Sequence, residues 1–274
     1  MSNLWLRVSS ILVAGALMVS GCSASDSPDK PKELTPTEVI EKSVEAMSEK
    51  GYTYEMKLKQ NTQTKVFGQQ QTVNMNMDTN VDVTTHPVAM HTKGTVNANG
   101  SPIPVEIYVA DNAMYNHTPQ GWTTVAVDTS SLDSSDDPAS GLKQLDKWIE
   151  QLGGNVLPKG VSVKKVGGSY LMEVDYAALK SDPSFDKMLK DQIAAGIQSG
   201  GGFITIDPNQ IKIENYKQQI WIDAKTFKQT KQVVDTKISA SDLAVDQHLE
   251  MILKGEFNGK ITVPAEVKNS AKSM

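Results

Sequence analysis

Between Thr72 and Thr85 the chain alternates in side-chain character. Val73, Met75, Met77, Val81 and Val83 fall on odd positions, and Asn74, Asn76, Asp78, Asn80 and Asp82 on even ones. A strand points successive side chains to opposite faces, so this period predicts a long β-strand with one apolar and one wet face. Strict alternation also separates this Gln/Asn-containing stretch from low-complexity sequence. Tyr54, Met56 and Leu58 alternate in the same way with Glu55, Lys57 and Lys59. A further strand is expected in 87–98. Residues 103–127 read as three short strands broken at Asp111–Asn112 and at Pro119–Gly121. A hairpin around Gly167–Gly168 and three long strands between 211 and 257 follow. In the last of these, Val245, Leu249, Met251 and Leu253 share one side. A short strand, "ITVPAEV", closes the set, with Pro264 favouring an edge or exit position.

Three segments switch to a helical period. In the first, Thr35 caps, Pro36 takes the first helical position and Glu38 completes a capping box. Ile40, Val44 and Met47 form one apolar stripe, and Gly51 stops the helix. The second carries Leu142, Leu145, Ile149 and Leu152. The third carries Phe185, Leu189, Ile193 and Ile197. About ten strands and three helices result, with strands following strands. A doubly wound parallel fold needs strict alternation of the two and is excluded. The expected class is α+β: one large, strongly curved antiparallel sheet, a half-barrel wet on its outer face, with about three helices on its concave face.

The first residues follow a different logic. Arg7 precedes an apolar run that ends in small residues, the three-part pattern of a secretory signal. The run is shorter than the ~20 residues of a spanning helix. Val19-Ser20-Gly21-Cys22 looks like a bacterial lipobox, and Cys22 is the only cysteine of the chain. An ordinary signal peptide cut nearby and an uncleaved anchor are the other readings of this segment. The expected organisation is a signal peptide at 1–21, a flexible linker at 22–34, one domain at 35–268 and a tail at 269–274. Lipidated Cys22 would then attach the chain to the extracytoplasmic side of the cell membrane, because two or more acyl chains give stable anchoring. With no second cysteine, no internal disulfide is available.

Composition narrows the partners. A net charge of −5 argues against nucleic acid or an anionic surface as the main partner. No protein partner is indicated. The four histidines, His86, His91, His117 and His248, are scattered and match no metal motif. "QSGGGF" follows a helix and precedes a strand, the reverse of a phosphate cradle, so it reads as a helix C-cap. Asp128, Asp133, Asp136 and Asp137 share one loop, but their spacing fails the calcium-loop template. No nucleophile elbow is present. The chain therefore reads as non-catalytic, with no cofactor and no metal.

One positive signal remains. Met56, Met75, Met77 and Met251 take inward strand positions, beside Leu249, and Met188 lies next to the third helix's stripe with Leu189 and Ile193. Thioether side chains adapt to irregular apolar shapes. The residues alone leave core filling and cavity lining both open.

The order of elements adds to this. The lipobox, the capped helix and the long alternating strands come in sequence with "EIYVADNAMYNHTPQGW", "GVSVKKVGGSYLMEV" and "IWIDAKTFKQTKQV". Over roughly residues 35–268 the chain resembles bacterial lipoproteins related to the LolA/LolB carriers and the mycobacterial LppX/LprG lipid-binding lipoproteins. It is most similar to Gram-positive lipoproteins of a domain-of-unknown-function family. The resemblance implies a half-barrel of eleven or so strands with helices across its mouth. It also implies an apolar cavity that holds acyl chains in the characterised members. The expected function is binding of a lipid or other apolar ligand. The alternative is a structural, interaction or sensor lipoprotein with a packed core. Met56, Met75, Met77, Leu249, Met251, Leu189 and Ile193 are the candidate cavity residues, and Cys22 is the lipidation site.

Overall fold

Two-residue turns set the topology. Asn99 and Gly100 both have positive φ between paired Ala98 and Ser101, as do Asp111 and Asn112 between Ala110 and Ala113. Turns of this hand match the twist of the strands they join and fold each strand back on its predecessor. In the computed structural model, residues 34–48, 51–66, 69–127, 157–199 and 207–273 are described. The first meander runs β1 (Gly51–Val66), β2 (Gln69–Thr85), β3 (Val88–Ala98), β4 (Ser101–Ala110), β5 (Ala113–Thr118) and β6 (Gly121–Ala126). The second runs β7 (Val161–Val166), β8 (Ser169–Asp175), β9 (Lys212–Asp223), β10 (Gln229–Ala240) and β11 (Leu243–Phe257). Long strands β1 and β11 pair antiparallel and join the two meanders into one sheet. A two-residue strand, β12 (Lys272–Ser273), pairs in parallel with β6. Among the described residues the sheet has twelve strands in the order β12-β6-β5-β4-β3-β2-β1-β11-β10-β9-β8-β7. It does not close, and the result is the α+β half-barrel.

Three helices lie on one face. In α1 (Pro36–Ser48) the Thr35 N–H donates to Glu38 Oε2 at 2.6 Å and the Glu38 N–H donates to Thr35 Oγ1 at 3.3 Å. This is the expected reciprocal cap. A single turn, α2 (Tyr176–Leu179), leads into α3 (Pro183–Ser199), where Asp182 Oδ1 accepts the N–H groups of Ser184 and Phe185. Val39 and Ile40 of α1 and Phe185 and Leu189 of α3 pack with Tyr170, Met172, Ile213, Ile220, Ile222 and Ile238 of β8–β10. Each such side chain contributes about 1.5–3 kcal/mol on full burial. A second cluster brings Met47, at the end of α1, onto Tyr52, Tyr54, Val81 and Val83 of β1 and β2.

The outer face is wet only in part. Lys57, Lys59, Asn76, Asp78 and Asn80 are exposed there, as alternation predicts. Around Ala89 of β3 and Ala110 of β4 the same face is covered. The chain leaves β11, and "ITVPAEV" forms no strand. Ile261 and Val263 instead insert against Ala89 and Ala110, and Pro264 leads into a short helix, α4 (Ala265–Ser270), whose Val267 joins the cluster. Two small alanines leave room for this strap, and Lys268 Nζ ties it to Asp111 Oδ2 at 2.8 Å. The i, i+2 spacing of Ile261 and Val263 is real. Their apolar side simply faces a sheet surface instead of entering a ladder.

Several expectations lie outside the described residues: the signal segment with Cys22, the linker, the acidic loop at 128–141, the helix expected over 142–152, and the side chain of Ile197.

Candidate functional site

Register places most of the candidate residues on one concave patch. Starting below Met47, the first row across the sheet is Thr79, Met56, Met251 and Gln232. The next is Ile103, Val96, Met77, Leu58, Leu249 and Val234. The third, towards the β1–β2 tip, is Ala98, Met75, Gln60, Gln247 and Thr236. Met56, Met77, Leu249 and Met251 thus form an apolar strip. From β3 to β10 it crosses four inter-strand gaps, or ~19 Å. Met75 sits where the strip meets the polar row of Gln60 and Gln247. Met56, Met75, Met77, Leu249 and Met251 are all half-buried, unlike Ile220 and Ile222, which are 1% and 0% exposed.

Leu189 and Ile193 stand apart from the strip. Leu189 is 3% exposed in the core between α3 and β8–β10, and Ile193 packs against the same core. Met188 also borders that core.

Beside Met251 the sheet has a local opening. The β10–β11 ladder ends at Lys231 and Ile252. Both strands carry a bulge just beyond that point, an extra Thr230 on β10 and an extra Lys254 on β11. A salt bridge between Lys228 and Glu256 draws the strands together again. The recess left between them is lined by Tyr54, Gln229, Lys231, Gln232, Met251 and Leu253, and its volume of about 10 Å³ has room for one water-sized group. Sites for drug-sized ligands run about 300–1,000 Å³. The recess is therefore too small for an acyl lipid on its own, and any long ligand must lie along the strip. Sequence reading missed Gln229 because the Thr230 bulge shifts the alternation by one residue and turns Gln229 inward beside Ile222.

The charged groups lie on the other face. Glu106 Oε1 meets His91 Nε2 at 3.1 Å, accepts from the Tyr108 hydroxyl at 3.1 Å, and meets Lys93 Nζ at 3.4 Å. Burial raises the Glu106 carboxyl, but the hydrogen bonds from His91, Tyr108 and Lys93 outweigh it and hold the group below its ordinary value. Burial, then the bond to Glu106, pushes Tyr108 up to about 12. Hydrogen bonds from Lys254 and then Lys57 hold Glu55 down at about 2. His248 Nδ1 lies 2.7 Å from Asp235 Oδ1. None of these groups faces the strip. Among the described residues no three His, Cys, Asp or Glu side chains are placed to share a metal.

The model of a family of unknown function, DUF6612, matches residues 35–272. No curated protein matches the sequence. Among solved structures, LprF from Mycobacterium bovis is similar at 14% identity, covering 83% of this chain and 95% of that one, with a TM-score of 0.39. The LolA superfamily protein NE2245 from Nitrosomonas europaea is similar at 8% identity, covering 86% and 97%, with a TM-score of 0.22. A β-barrel-like DUF1849 protein from Brucella abortus is similar at 7% identity, covering 76% and 99%, with a TM-score of 0.24.

Proposed function

The chain belongs to the DUF6612 family, whose description assigns no function, and we propose that it is a lipid-anchored extracytoplasmic protein that binds a lipid or other apolar ligand without catalysis. One observation carries the binding reading. Met56, Met77, Leu249 and Met251 share the helix-bearing face yet remain half-buried. Strands β8 and β9 bury their inward Met172, Ile220 and Ile222 almost completely under the helices. A contiguous apolar surface rich in thioethers can re-pack around an acyl chain. The polar row of Gln60 and Gln247 bounds the strip on one side, and Met47 closes the other.

Cys22 supplies the anchor in this reading. Lipid chains contribute about 0.8 kcal/mol per buried CH₂, and two signals suffice for stable attachment. Replacing Cys22 with Ala should move the protein from the membrane fraction to the soluble fraction. Retention at the wild-type level would sink the anchor but leave the binding reading intact.

A competing reading, a packed body that docks a protein, draws on the small volume of the recess. Native mass spectrometry of the full chain carrying Cys22→Ala separates the two. The binding reading expects a co-purified apolar adduct that organic extraction removes. A clean polypeptide mass in repeated preparations from membrane-rich cells favours the packed body.

A further inference from the structure

Gln229 is 3% exposed, and among the described residues its Nε2 meets no hydrogen-bond acceptor. Leaving a buried donor unmade carries its full desolvation penalty. That donor lines the recess beside Met251, where the ladder ends and two bulges spread β10 from β11. Bulges of this kind commonly re-aim a side chain next to a functional site. Here the bulge at Thr230 turns Gln229 into the sheet's interior.

The recess is also matched in charge. Lys231 is the one cationic residue that lines it, but next to inward Gln232 it points its ammonium to the outer face of the sheet. Its Nζ lies 2.5 Å from Glu250 Oε1 and 5.3 Å from the centroid of the Trp221 ring. The cation is thus already balanced. A carboxylate or phosphate entering the recess would find no free positive charge to offset its desolvation. A neutral acceptor would find an unused N–H.

We propose that the recess at Gln229 is the polar anchor of the binding strip and takes the carbonyl oxygen of a neutral acyl ester, whose chain then lies over Met251, Met56, Leu249 and Met77. This rests on the binding reading above. It adds to it a ligand class, acyl esters over free fatty acids, and a positioning contact. The recess has room for one water-sized group, which a carbonyl oxygen matches and a headgroup exceeds, so the rest of the ligand is left on the strip.

The test uses the full chain carrying Cys22→Ala, so that no covalent lipid competes. Diphenylhexatriene, which has no hydrogen-bonding group, reports on the strip. Methyl palmitate and palmitate are then titrated as competitors. The ester should displace the probe at about one-tenth the concentration that palmitate requires, a difference of ~1.4 kcal/mol. Gln229→Met, which keeps the side-chain volume and removes the donor, should lower the ester-to-probe affinity ratio about tenfold. An unchanged ratio in a folded Gln229→Met protein overturns the anchor. A second measurement needs no variant at Gln229. The carbonyl stretch of ¹³C-labelled methyl palmitate should move to lower frequency on binding, relative to the ester in alkane. An unshifted band overturns the proposal. The two failures differ in form: no probe binding removes the strip itself, whereas probe binding without ester preference removes only the anchor.

Discussion

Met56 on β1 and Met251 on β11 stand directly opposite one another in the central strand pair. Both pack against the cluster capped by Met47, and both remain half-buried. The pair marks the border between two regimes of one sheet face. On the side of α1 the inward residues are sealed, with Tyr52 at 2% and Tyr54 at 3% exposure. On the other side the same alternation continues through Leu58, Met77 and Leu249, and the sealing weakens.

If that second regime is a binding surface, bulk introduced there should displace ligand before it disturbs the fold. Met77→Trp and Leu249→Trp should each weaken diphenylhexatriene binding by about tenfold or more. Their thermal midpoints should stay within a few degrees of wild type, since half-buried sites can accommodate added volume. Asn76→Trp points to the opposite face and should leave binding unchanged. Equal losses from both faces would show that the strip does not hold the probe.

The sealed regime should behave as ordinary core. Met47 is 1% exposed, so Met47→Ala should cost about 2–5 kcal/mol. Leu249→Ala, at a half-buried site, should cost about 1 kcal/mol. Urea unfolding monitored by circular dichroism measures both. A larger loss at Leu249 than at Met47 would contradict the division.

Glu106 makes stability depend on acid. Its carboxyl lies below the ordinary value of 4.5 in the folded protein. Its contribution is therefore present above that value and is lost as pH falls through the lower folded one. Glu106→Gln should cost about 1 kcal/mol at pH 7 and flatten the fall in urea midpoint between pH 5 and pH 3. Parallel pH profiles for wild type and variant would remove Glu106 from the account.

The strap over the outer face should be stabilising. Ile261 is 9% exposed against Ala89 and Ala110, and Ile261→Ala should cost about 2 kcal/mol. Amide exchange in β4 and β5 should rise in the same variant, with β8 and β9 little changed. Uniform acceleration across the sheet would mean that the strap acts globally.

Much of this was legible in the residues because alternation is local. Val73, Met75, Met77, Val81 and Val83 share the face that parity assigned them, and the Thr35–Glu38 cap forms as its spacing demanded. What alternation could not carry was neighbourhood. Nothing within β2 says that Met75 lies beside Gln60 while Met77 lies beside Leu58; that needs the register. Parity also fails at a bulge, and this hid Gln229. Ala89 and Ala110 are too small to signal an apolar face, so the seat for Ile261 and Val263 went unseen. Leu189 and Ile193 carried the right helical period, but period alone does not distinguish a side chain under a helix in the packed core from one beside an open strip.

The most direct test of the central claim is photo-crosslinking with a diazirine-bearing acyl ester, mapped by peptide mass spectrometry on the full chain carrying Cys22→Ala. Labels are expected on Met56, Met77, Leu249 and Met251, with none on outward neighbours Lys57, Asn76 and Glu250. Labelling confined to the outer face, or spread evenly over both faces, would contradict a concave apolar strip as the place where this protein holds its ligand.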